Sequence, residues 1–152
     1  YTMTKIYTKE LTKHKFTKKQ FDLYKEFSYG KDYYLKVYEH INDYKYTTEY
    51  LDAKKIDWNI TCSCTSPIAE TYFKIMIDCL QFSKKLPDGQ WWVNRDLHLN
   101  NFLQRPDGSI VLVDVDAFQI DGSPYHHRQL GSIAQIIMLG CECATCNCTD
   151  RK

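Results

Sequence analysis

Asn94-Arg95-Asp96-Leu97-His98-Leu99-Asn100-Asn101, followed by Val111-Leu112-Val113-Asp114-Val115-Asp116, decides the reading of this chain. Asp96 and Asn101 stand 5 residues apart, and Asp114 follows 13 residues after Asn101. The intervening Arg105-Pro106-Asp107-Gly108-Ser109 is a turn cluster, flanked by Phe102-Leu103 and Ile110-Val111-Leu112-Val113. Turn formers between two apolar runs predict a β-hairpin. Asn101 enters its first strand and Asp114 leaves its second, so both side chains arrive at one end. Two hard oxygen ligands so placed suit Mg²⁺, which takes one or two protein ligands and completes its shell with phosphate oxygens and water. Asp96 lies just before them, a carboxylate able to accept a hydroxyl proton. Together the three fit transfer of a phosphoryl group from a nucleotide. The plainer alternative is a polar hairpin whose Asp and Asn only cap turns.

The surrounding sequence supplies the frame. A chain of 152 residues, 43% hydrophobic and 14% aromatic, has the length of one domain and the material for a core. A net charge of +1 gives no field of the size nucleic-acid binding needs. Lys5, Lys9, Lys13, Lys15, Lys18, Lys19 and Lys25 nevertheless make the N-terminal part basic, either a solvated face or a surface for an acidic partner. The run Ile133–Leu139 is too short to span a bilayer, and no secretory signal is visible. The expected location is therefore cytoplasmic. A start at Tyr1 rather than Met leaves room for upstream residues.

Tyr1 to Tyr7 alternates as a strand with Lys5 in its middle, and Phe21, Tyr24 and Phe27 give residues 17–27 a helical stripe with Thr17 as N-cap. Tyr34–Tyr38 and Tyr46–Leu51 predict a second hairpin about Asn42-Asp43. Ser66-Pro67 opens a helix running to about Lys84, with Ile68, Tyr72, Ile75, Met76, Cys79 and Phe82 on its apolar face. Trp91–Val93 reads as a short buried strand, and residues from about 128 to 139 as a last helix.

At Asp96, Asn101 and Asp114 the chain resembles the protein-kinase superfamily, whose H-R-D-x-x-x-x-N loop and D-F-G motif are here N-R-D-L-H-L-N-N and D-V-D. The resemblance implies an α+β, truncated kinase-like fold: a small sheet-and-helix lobe over about 1–53 and a reduced helical lobe over about 54–152. It implies Asp96 as catalytic base, and Asn101 and Asp114 as ligands of Mg²⁺. ATP is the nucleotide, with Lys5 steadying its phosphates and the Glu49-Tyr50-Leu51 stretch receiving adenine through Glu49 and Leu51. The lysine's usual helix glutamate is sought among Gln20, Glu26 and Glu10. His98 makes a D-L-H sequence more like aminoglycoside and choline phosphotransferases.

Departures accompany the likeness. No two of the six glycines are spaced for a phosphate-covering G-x-G-x-x-G loop, and Asn94 replaces the usual histidine. Only about a dozen residues separate Asp116 from the last helix, which begins where the family has an anchoring aspartate. Kinases so reduced resemble viral and bacterial-effector proteins that depend on a host partner, acting in a host cytoplasm. Three functions follow: a minimal kinase for protein hydroxyls, a non-catalytic mimic binding a host protein, or a small-molecule phosphotransferase.

Seven cysteines include Cys62-x-Cys64 and the tail set Cys141, Cys143, Cys146 and Cys148. Thiolates clustered in this way suit Zn²⁺, with disulfides or free thiols as the alternatives. If they share zinc, protein purified under reducing conditions carries about one equivalent, and chelation lowers its melting temperature. Elemental analysis that finds no zinc leaves the thiol or disulfide alternatives.

Overall fold

A computed structural model describes residues 5–56, 67–125 and 129–133. The expected zinc cysteines Cys62, Cys64, Cys141, Cys143, Cys146 and Cys148 lie outside these residues, as does Ser66. The architecture is α+β, with small antiparallel sheets and a few helices, as expected. Among the described residues no helix is long and apolar enough to cross a membrane.

The first sheet contains β1 (Ile6–Glu10), β2 (Val37–Asn42) and β3 (Lys45–Glu49), in the order β1-β3-β2. The strand expected over residues 1–7 therefore lies further along the chain, since its pairing to β3 runs from Ile6 opposite Glu49 to Glu10 opposite Lys45. Helix α1 (Lys18–Ser28) starts where Thr17 predicts. Thr17 Oγ1 accepts the Gln20 N–H, and Gln20 Oε1 accepts the Thr17 N–H, a reciprocal capping box. Gly30, at φ 77°, then turns the chain in a conformation that costs any residue with a Cβ.

The 17-residue α2 (Pro67–Ser83) buries Ile68, Tyr72, Ile75, Cys79 and Phe82. Their alternating spacings of four and three keep one face inward. Burial pushes the Cys79 thiol well up, so it behaves as a small apolar side chain. Asp78 on the same helix accepts both Tyr33 Oη (2.6 Å) and Tyr34 Oη (2.9 Å), fastening the α1–β2 link to α2.

Beyond α2, β5 (Trp91–Asn94) pairs with β8 (Phe118–Asp121). The expected hairpin forms as β6 (Phe102–Gln104) and β7 (Ile110–Leu112), and β4 (Lys54–Lys55) adds to its outer edge. Its turn closes through Arg105 and Ser109 (N–H to O 2.9 Å), with Gly108 at φ 90°. Two backbone bonds, Leu35 N–H to Leu112 O and Leu112 N–H to Tyr33 O, join this hairpin to the small sheet's connection. Strands β4 and β8 carry no clear alternation, and neither was expected from the sequence.

Aromatic rings fill the core between these layers. Phe118 is fully buried, stacked on Trp92 at 5.7 Å and 8°, and also touching the rings of Tyr24 (5.4 Å) and Phe27 (5.1 Å). One side chain thus joins α1 to the β5/β8 pair. Phe118→Ala is expected to cost about 3–5 kcal/mol in urea unfolding. A loss under about 1 kcal/mol would place the ring outside the packed core.

Candidate active site

The strand β5 ends at Asn94, which is fully buried and crosslinks two segments. Its Oδ1 accepts the Asp96 N–H (2.9 Å) and its Nδ2 donates to the Asp114 carbonyl (3.3 Å). The residue that departs from the family's histidine therefore still fixes the loop to the segment holding Asp114. Arg95 N–H donates to Ala117 O (3.0 Å), and Tyr72 Oη reaches Leu97 O (3.3 Å) from α2.

Asn101 ends a short 3-10 turn (Leu99–Asn101) and leads directly into β6. Its Nδ2 lies 2.7 Å from Asp96 O, 3.4 Å from Asp96 Oδ2 and 3.1 Å from Asp114 Oδ2. One amide thus brings Asp96, Asn101 and Asp114 together, as their spacing implied. His98 Nδ1 accepts the Asn100 N–H, so a neutral ring carries its proton on Nε2, 3.5 Å from Asp96 Oδ1.

The lysine at this site is Lys9, not Lys5. Lys9 Nζ stands 2.7 Å from Asp116 Oδ1 and 3.7 Å from Asp114 Oδ1. Lys5 is exposed, with its ammonium 5.4 Å from the centre of the Tyr50 ring. Four residues of extended chain span about 13 Å, more than a lysine side chain can recover. Residues four apart on one strand would share a face, so alternation could not choose between the two; β1 begins at Ile6, leaving Lys5 before it and Lys9 within it, opposite Tyr46.

Asp116 was not expected at the site at all. Its side chain is only 3% exposed and binds Lys9, His14 Nε2 (2.5 Å) and Tyr46 Oη (2.6 Å). Burial acts to raise its pKa, but Lys9 and the hydrogen bonds outweigh it and hold the carboxyl below the usual range. Burial pushes Tyr46 far up, aided by Asp116, so it remains a phenol and a donor. The sequence signal was the second acid of D-V-D, which a 3-10 turn (Val115–Ala117) folds back toward β1.

None of the residues considered as a helix partner reaches Lys9. Gln20 caps α1 and donates to Phe118 O (3.1 Å), Glu26 faces Lys85 (3.7 Å) and Glu10 faces Lys45 (3.4 Å). Glu49 ends β3, where its N–H donates to Lys36 O (2.9 Å) and its carboxylate meets Lys36 N–H (3.0 Å) and Arg105 (3.6 Å). Leu51 follows, half-buried against the core.

The donor set suits a magnesium–phosphate group. Asp114 offers a hard carboxylate oxygen and keeps 19% of its side chain exposed. The Asn101 amide lies beside it with Nδ2 facing Asp114 (3.1 Å), and a half-turn of that amide would bring its hard oxygen to the same point. Its carboxyl is pushed up to about 6 by burial and by the charge of Asp116, with Lys9 opposing. A cation at this point would relieve both effects. Among the described residues no three His, Cys, Asp or Glu side chains form a ready metal cage. Mg²⁺ held mainly by a nucleotide needs none.

No protein-family model matches the chain, and no curated protein matches it in sequence. Solved structures do. The kinase PK-1 of Cydia pomonella granulovirus is similar over 83% of this chain, with a TM-score of 0.54 and 14% identity. The choline kinase LicA of Streptococcus pneumoniae is similar over 94% of it, at 0.48 and 13%. The chain spans 47% and 64% of those proteins respectively. The likeness to the viral kinase makes the fold protein-kinase-like.

The raised carboxyl of Asp114 has a consequence for stability. In metal-free buffer the unfolded chain ionises this group near 3.8, whereas the folded protein holds its proton to about 6. Ionised Asp114 therefore opposes folding, fully above about 6 and not at all below about 3.8. Asp114→Asn should raise stability by on the order of 1–3 kcal/mol at pH 7, with the gain vanishing by about pH 4. A gain that is independent of pH would contradict this electrostatic origin.

Proposed function

We propose that this chain carries a Mg²⁺- and ATP-dependent phosphotransfer site of minimal protein-kinase type, with a protein hydroxyl as acceptor. The observation that supports this most is the gathering of Asp96, Asn101 and Asp114 about one amide, with the Lys9 ammonium beside Asp114. A site that only capped turns would not need all four groups at one hairpin end.

Asp96, 30% exposed in its side chain, orients the acceptor hydroxyl and takes its proton as the oxygen attacks phosphorus. His98 steadies that carboxylate from the solvent side. Asn101 Oδ1 and a carboxylate oxygen of Asp114 would hold the metal, whose charge would neutralise the phosphate oxygens. Lys9 places a cation beside them, on a strand held rigidly by β3. The basic stretch Lys13–Lys19 adjoins this site through His14, and it suits an acidic partner or substrate protein.

A second reading has its own observation. Lys9 is already committed to a buried carboxylate, as suits a kinase mimic that binds a partner without transferring phosphate.

Purified protein incubated with Mg-ATP and lysate proteins is expected to transfer phosphate. Asp96→Ala should lower the rate by about two orders of magnitude or more, with nucleotide affinity little changed. Asp114→Asn should abolish Mg²⁺-dependent nucleotide binding by calorimetry while leaving the protein folded. Wild-type turnover in Asp96→Ala would assign the activity to a contaminant. Partner binding without transfer, with Mg-ATP present, would decide for the mimic.

A further inference from the structure

We propose that Asp116 is the positioning residue for Lys9. It holds the ammonium from the catalytic hairpin, the task that a helix glutamate performs in the family this chain resembles. The functional half of this inference rests on the phosphotransfer reading; the structural half does not.

The geometry carries the assignment. Lys9 Nζ donates to Asp116 Oδ1 at 2.7 Å, and the same carboxylate is locked by His14 on its other oxygen and by Tyr46. The carboxylates of α1 are engaged elsewhere, Asp22 with Lys18 at 2.8 Å and Glu26 with Lys85 at 3.7 Å. Asp116 stands two residues after Asp114, on the 3-10 turn that Asp114 opens. The lysine and the candidate metal ligand are therefore registered to each other through one short turn. In a site anchored from a helix, moving the helix moves the lysine. Here Gln20 of α1 is tied to Phe118 O, at the end of the turn that carries Asp116, and neither carboxylate of α1 meets Lys9. The placement of Lys9 relative to Asp114 is set directly by Asp116 and not by a carboxylate on α1.

Two measurements test this. In the nucleotide-free protein, ¹⁵N NMR should show a slowly exchanging ammonium for Lys9, identified by its loss in Lys9→Met. It should disappear in Asp116→Asn and persist in Glu26→Gln and Glu10→Gln. A Lys9 signal as broadened by exchange as that of exposed Lys13 overturns the anchor, and this wild-type reading stands even where Asp116→Asn does not fold.

The second is calorimetry with Mg-ATP on wild type, Lys9→Met, Asp116→Asn and the double variant. Asp116→Asn is expected to weaken binding about tenfold in the wild-type background and not to weaken it in the Lys9→Met background. Equal weakening in both backgrounds, or unchanged or tighter binding in Asp116→Asn alone, overturns the positioning role. Absence of Mg-ATP binding by the wild type, with the protected Lys9 ammonium present, overturns the phosphotransfer reading and leaves the anchor standing.

Discussion

A carboxylate withdrawn from water needs partners, and Asp116 has three from separate parts of the chain. Lys9 comes from β1, His14 from the β1–α1 link and Tyr46 from β3. Stripping water from a charged group costs several kcal/mol unless such bonds replace it. The small sheet and the turn that follows the β6/β7 hairpin are therefore joined by a requirement of charge as well as by packing. Removing any one partner leaves the others facing a poorly compensated charge. Pairing with β3 places β1, and Asp116 ties that strand to the segment after the hairpin.

Apolar packing and charge divide the labour. The stack of Trp92 on Phe118, with Tyr24 and Phe27 against the same ring, holds the β5/β8 pair to α1 without directing any group at the site. Direction comes from short polar links. Asn94 ties Asp96 to the segment of Asp114, and Asn101 draws the two carboxylates together. The arrangement carries a cost, because Asp114 sits partly buried beside a second negative charge and holds its proton to about pH 6.

Much of this was legible in the sequence. Hairpin, α1 and α2 follow from local signals: the Arg105–Ser109 turn, the Thr17/Gln20 capping pair and the four-three spacing of buried residues from Ile68 to Phe82. That Asp96, Asn101 and Asp114 come together could be read from their spacing, which is itself the signal. The sequence pointed to Lys5 because the strand was expected over residues 1–7; β1 begins only at Ile6, so Lys9 and not Lys5 lies within it. Asp116, His14 and Tyr46 meet across 70 to 102 residues of chain, a separation at which local pattern carries no information. Strand β8 escaped notice because Phe118–Asp121 has one fully buried residue and no alternation to mark it.

The most direct test of a phosphotransfer site is a crystal structure grown with millimolar Mg²⁺ and a non-hydrolysable ATP analogue. The account predicts the triphosphate between Lys9 and Asp114, with the metal touching Asp114 and the Asn101 side-chain oxygen. A nucleotide bound elsewhere, or none bound at that concentration, would contradict it.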